Sequence, residues 1–228
     1  MIVRDAFRFL IPLAILAILA FAFGFIVPGA FALLLLAFAA FFFRNPRRAI
    51  PGDPRVIVSP ADGKVVKLER AGQVTKMSIF LSLFNVHVNR SPIAGRIEAV
   101  DYRPGKFMAA FHDKASTDNE RNIVMVSNGR INIVFTQIAG IVARRIVFWK
   151  RAGDTVGKGE LVGLIRFGSR VDVLFPAGTE ATIGLGARVK GGDGGRHAGR
   201  ARADDQHARF EMRRFAHESE LSRFGRHL

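Results

Sequence analysis

The sequence contains no cysteine. Disulfides, thiolate metal sites and cysteine nucleophiles are therefore excluded, and a reducing compartment fits without being required. Acidic residues are scarce beside basic ones, 19 against 34, giving a formal net charge of +15. Such a balance favours an anionic partner, either nucleic acid or a negatively charged bilayer. From Phe9 to Phe43 there is no charged residue of either sign. That run as helix would be about 50 Å long, more than one crossing of a ~30 Å hydrocarbon core needs. A cleaved signal peptide is disfavoured because the run is too long and has no small-x-small exit.

The Val27-Pro28-Gly29 turn signal divides the run into two apolar segments, roughly 9–27 and 30–43. Arg4 and Arg8 precede them, and Arg44, Arg47 and Arg48 follow. Positive residues at both ends predict a hairpin that spans or dips, with both ends on the cytoplasmic side. Residues 1–48 are thus expected to anchor the chain in the cell membrane. The basic charge has no interleaved aromatic strip of the kind single-strand binders use, so nucleic acid is not expected as a partner.

Pro46, Pro51 and Pro54 make a stiff linker. From Arg55 the pattern changes to short β-rich runs with turn punctuation. Ten runs read as strands: Val56–Val58, Lys64–Leu68, Val74–Leu81, Val86–Asn89, Arg96–Tyr102, Ile123–Ser127, Arg130–Gln137, Arg144–Trp149, Leu161–Phe167 and Val171–Phe175. Asn128-Gly129 is the strongest hairpin signal. The expected fold for residues 49–190 is mainly β, a curved or barrel-like sheet related to the biotinyl/lipoyl hammerhead. That relation comes from the glycine-punctuated stretch 150–163. No lysine there has the context of a carrier site, so the likeness is architectural. Beyond Gly191 the strand pattern stops. Residues 191–228 hold four of the six histidines: His197, His207, His217 and His227. Their spacing is too regular and too wide for a local site, no carboxylate or cysteine pattern supports one, and no metal site is expected. The segment reads as a basic tail, disordered or shifted in reading frame.

Four stretches could carry chemistry. Ser59-Pro60-Ala61-Asp62-Gly63 places a carboxylate, Asp62, in a tight turn. Asn85-Val86-His87-Val88-Asn89-Arg90-Ser91-Pro92 sets His87 on a strand face with polar neighbours. Lys114 and Arg121 lie in a mixed-charge stretch and could hold a phosphate. Gly168-Ser169 puts a hydroxyl beside a carbonyl with little steric cover, so Ser169 could attack it and turn the amide into an ester.

Together these motifs, with Lys114-Ala115-Ser116, Asn119-Glu120-Arg121-Asn122 and Phe167-Gly168-Ser169-Arg170-Val171-Asp172, resemble a known family from about residue 40 to 190. It is the short prokaryotic class of phosphatidylserine decarboxylases, which includes archaeal-type decarboxylases of related serine phospholipids. The resemblance implies a proenzyme cut between Gly168 and Ser169, with a covalent pyruvoyl group made from Ser169 as cofactor. Chains 1–168 and 169–228 would remain together as a heterodimer, with higher oligomers left open. The pyruvoyl carbonyl would form a Schiff base with the phospholipid's amine and accept the electrons left by CO2. The family likeness also implies that Asp62 assists the cut and that His87 serves the site, returning a proton to Cα. Longer relatives carry a second histidine where this chain has Arg90. The rival expectation is a membrane-anchored, hammerhead-like binding or carrier module without catalysis.

Overall fold

The computed structural model describes residues 1–71, 74–105, 118–140, 145–166, 168–176, 179 and 183–193. The chain divides into two compact units, Met1–Arg47 with Phe84–Val86, and the remainder.

In the first unit, helix α1 (Phe7–Ala22) and helix α2 (Ile26–Phe42) form a hairpin. The turn falls at Gly24, with φ +79, rather than at the expected Val27-Pro28-Gly29. Pro28 lies in the first turn of α2, where its missing N–H would have no partner anyway. Gly29 is buried against α1: a methyl group there would come within 2.9 Å of the Phe21 ring. The glycine therefore serves helix packing, not chain reversal. The N-terminus folds back on the base of α2, with Val3 N–H donating to Phe43 O and Phe9 stacked on Phe43 at 5.5 Å. Residues Arg4–Ala22 form one helical stretch long and apolar enough to cross a membrane, and α2 is shorter at 17 residues. Arg44 caps the base by donating to Phe41 O and to Phe84 O, each at 2.7 Å.

Among the described residues the second unit contains eleven strands: β1 (Gly63–Ala71), β2 (Val74–Leu81), β3 (Val88–Arg90), β4 (Gly95–Arg103), β5 (Arg121–Ser127), β6 (Asn132–Ala139), β7 (Ile146–Phe148), β8 (Thr155–Val156), β9 (Leu161–Ile165), β10 (Ser169–Pro176) and β11 (Arg188–Val189). The mainly β composition follows the sequence, but the barrel-like expectation does not hold. Eight strands form an open antiparallel sheet, β11-β1-β2-β10-β6-β5-β4-β8, and three form a second sheet, β3-β9-β7. No sheet closes. The edge strands β8 and β11 have two residues each, too few to build a closing ladder.

The alternation of β10 shows why the sheets pack as they do. Val171, Val173 and Phe175 face inward and join Ile79, Phe135 and Val162 in one core cluster. Phe148 of β7 meets Phe135 of β6 at 6.4 Å between ring centres, so the small sheet covers the inner face of the large one. Glycine allows close approach at one point: a methyl group on Gly163 of β9 would sit 2.3 Å from Val147 O. In the 150–163 stretch, Lys158 Nζ donates to Asp53 O and Lys150 pairs with Glu160. Neither lysine is held out for attachment.

Candidate active site

Ser169 is the first residue of β10, and β10 is an interior strand. Its neighbours across the ladder are Leu81 on β2 and Ala139 on β6. The side chain shares the inner face with Val171 and is fully buried, and its hydroxyl has no hydrogen-bond partner. A buried, unfilled hydroxyl costs about 1–3 kcal/mol. Folds rarely retain one without a use.

Gly168 has φ +64, in the left-handed region. Nothing lies within 4 Å of where a side chain would start, so torsion rather than space requires glycine here. Its backbone N–H donates to Nε2 of His87 at 3.2 Å. His87 is 1% exposed, and its carbonyl accepts from Ile165 N–H of β9. Because Nε2 accepts, the ring is neutral with its proton on Nδ1. An uncharged imidazole is thus held beside the Gly168–Ser169 bond. Asn119 secures the opposite strand by donating from Nδ2 to Ala139 O at 2.7 Å.

Asp62 stands immediately before β1, and β2 runs between β1 and β10. Its carboxylate accepts from Arg48 Nη2 and from Gly191 N–H, each at 2.7 Å. Gly192 N–H donates to Ser59 O, and Ser59 N–H to Asp193 O. The Ser59–Asp62 turn therefore holds the 191–193 turn in place. Residues beyond Asp193, including the four expected tail histidines, lie outside the described residues. Arg90 donates to Gly159 O at 2.8 Å, and burial together with nearby Arg48 draws its pKa below the usual arginine value. Arg90 cannot take the place of a titrating histidine.

Arg121 opens β5 at the same end of the sheet as Ser169. It lies opposite Ile138, which lies opposite Arg170, so these three occupy the outer face. Ser169 occupies the inner face. Lys114 falls outside the described residues. Sequence reasoning set Asn89 among the polar neighbours of His87 and Asn122 in a motif, but it missed Gln137, which joins them in one group of inner-face amides, all buried. Gln137 lies between Phe135 and Ala139 on the alternation of β6, and a polar residue at a core position was the available signal.

Comparison with known proteins places the chain in a family. Residues 35–194 match the family model described as phosphatidylserine decarboxylase. A phosphatidylserine decarboxylase proenzyme of Solibacter usitatus is 53% identical over 160 residues, covering 70% of this chain and 78% of the relative. That of Desulfotalea psychrophila is 45% identical, covering 71% and 79%. That of Carboxydothermus hydrogenoformans is 44% identical over 197 residues, covering 83% and 92%. With most of its length matched on these terms, this chain belongs to the phosphatidylserine decarboxylase family.

Proposed function

We propose that Ser169 is the residue this decarboxylase converts into its catalytic carbonyl. The overall reaction is that of the family: phosphatidylserine gives phosphatidylethanolamine and CO2. The observation that carries the Ser169 assignment is the unpartnered, buried Oγ directly after Gly168, with neutral His87 at the same bond.

The cut balances with water alone. Ser169 Oγ attacks the Gly168 carbonyl carbon, and the C–N bond breaks as the ester forms. A base removes the Cα proton of Ser169, and elimination releases the Gly168 carboxylate. Water then replaces the amine and ammonia leaves, giving the pyruvoyl group. The residues present fit this course: the hydroxyl is not tied up, and His87 is neutral and able to take a proton. When present, a pyruvoyl group supplies a carbonyl that bonds the substrate amine and takes up the electron pair left by CO2. His87 is the residue proposed to hold and return the proton at Cα. Asp62 assists by fixing the 191–193 turn that follows β11. Lys114 and Arg121 are proposed to hold the headgroup phosphate; Arg121 is at Ser169's end of the sheet but on its outer face, so the phosphate it holds would lie around that end from the carbonyl.

The apolar helix associates the enzyme with the membrane in which its substrate resides. Arginines on both sides of the hairpin favour the cytoplasmic face for the catalytic unit. The assembled enzyme is proposed to be a heterodimer of residues 1–168 and 169–228. A denaturing gel with intact-mass analysis tests the assignment. Two chains meeting at 168/169 are expected from the wild type, and one chain from Ser169→Ala. A single uncut wild-type chain that still releases CO2 from phosphatidylserine would overturn it. Ser169→Ala should also melt no lower than uncut wild type, since the hydroxyl makes no bond to lose.

A further inference from the structure

Three buried amides form a chain across the space between the sheets. Asn122 Nδ2 donates to Gln137 Oε1 at 3.0 Å, and Gln137 Nε2 donates to Asn89 Oδ1 at 2.9 Å. Asn122 and Gln137 lie opposite each other on β5 and β6, and Asn89 belongs to β3 in the other sheet. Gln137 reaches across beside Gly163, where a methyl group would come within 3.2 Å of Nε2.

An amide has a donor end and an acceptor end, so fixing one directs the other. Gln137 occupies the oxygen of Asn89, and the Asn89 NH2 group must point elsewhere. That Nδ2 is buried and has no hydrogen-bond partner. Its position is informative. Gln137 lies opposite Val171, and Ser169 is two residues earlier on the same face of β10. Asn89 is two residues after His87, whose ring meets Gly168. The unfilled donor of Asn89 and the unfilled hydroxyl of Ser169 therefore share one layer between the sheets.

We propose that Asn89 Nδ2 binds the carboxylate of the substrate's serine headgroup, with Gln137 as the residue that positions it. The inference rests on Ser169 being the source of the catalytic carbonyl. A serine headgroup brings one amine and one carboxylate to that carbonyl. The amine is consumed in bonding, which leaves the carboxylate as the oxygen acceptor in need of a donor. A neutral amide suits the task better than a guanidinium. It fixes the direction of the bond to be broken without strongly stabilising a charge that must vanish as CO2 leaves. Arg121 and Arg170, the arginines of the adjacent row, are on the opposite face of the sheet.

Calorimetric binding of two soluble probes to the cleaved, full-length enzyme tests the proposal. Glycerophosphoserine carries the carboxylate and glycerophosphoethanolamine lacks it. Wild type should bind the first more tightly. Asn89→Asp keeps the acceptor for Gln137 and removes the donor. It should weaken glycerophosphoserine about tenfold or more, change glycerophosphoethanolamine less than about twofold, and leave the chain cut. Gln137→Glu, which turns the Asn89 amide around, should act in the same direction. Equal binding of both probes by wild type overturns the proposal without any variant. So does a variant that weakens both probes alike, changes neither, or blocks the cut. An uncut wild type, by contrast, removes the Ser169 assignment itself.

Discussion

The backbone N–H of Gly168 points at Nε2 of His87, 3.2 Å away, across a gap of 81 residues in sequence. This bond keeps the imidazole unprotonated at Nε2 and sets it at the peptide link proposed to break. Replacing the ring with a methyl group in His87→Ala should slow self-cleavage by about 10²–10⁴-fold, the usual worth of a positioned proton acceptor. Timed denaturing gels of freshly made protein measure it. Cutting at the wild-type rate would exclude His87 from the step.

Gly163→Ala is expected to be among the most damaging single-methyl changes in the catalytic unit. The new carbon would meet Val147 O at 2.3 Å, a backbone atom that cannot turn aside. Parting β7 from β9 should cost about 3 kcal/mol or more, at or above the upper end for overpacking. Chemical denaturation of the Ser169→Ala background isolates the folding effect from processing.

Arg48→Met removes the guanidinium hydrogen-bonded to Asp62 and leaves the Gly191 N–H and the charge of Arg90 beside it. Both side chains are mostly buried, 16% and 11% exposed. Breaking such a pair from one side should destabilise by about 1–3 kcal/mol, less than the full cost at a dry site. The loss should appear first as exchange of the Gly191 amide proton, before global unfolding. Unchanged protection there would separate Asp62 from the 191–193 turn.

Acid should release the Lys150–Glu160 contact. Burial alone would raise the Glu160 carboxyl, but the Gly157 N–H and the Lys150 ammonium outweigh it and hold it below its ordinary 4.5. A carboxyl lowered in the folded state contributes stability above its unfolded value and loses it as pH falls through the folded one. The contribution should therefore be complete at neutral pH and fade below about 4.5. Lys150→Met should move the Glu160 titration upward, measurable by carbon-detected NMR. The partly exposed position of the pair keeps the effect on melting small.

The alternation of apolar residues made most strands legible. Val171, Val173 and Phe175 announce β10, and Asn128-Gly129 announces the turn between β5 and β6, where Gly129 has φ +83. Sheet closure was not legible. Alternation reports which residues are buried, and it is the same for an open sheet under a second layer as for a barrel. The hairpin turn was misplaced because Pro28 and Gly29 look alike in a turn and in a tightly packed helix start. His87 and Ser169 were legible as chemistry-bearing types. Their meeting depends on β3 crossing to the far sheet, a long-range pairing that no local pattern encodes. Gln137 was visible only as a polar residue at a core position; its link to Asn89, 48 positions away on the other layer, was not legible.

Strand β10 is held on both flanks, by β2 and by β6, and its first residue is the one where the chain would be severed. A break at that place frees an end without freeing a piece. The terminus so made would stay locked in the middle of the fabric, shielded from bulk water before any lipid arrives. Maturation would then need no chaperone to reassemble the fragments, and a reactive carbonyl would be born already housed.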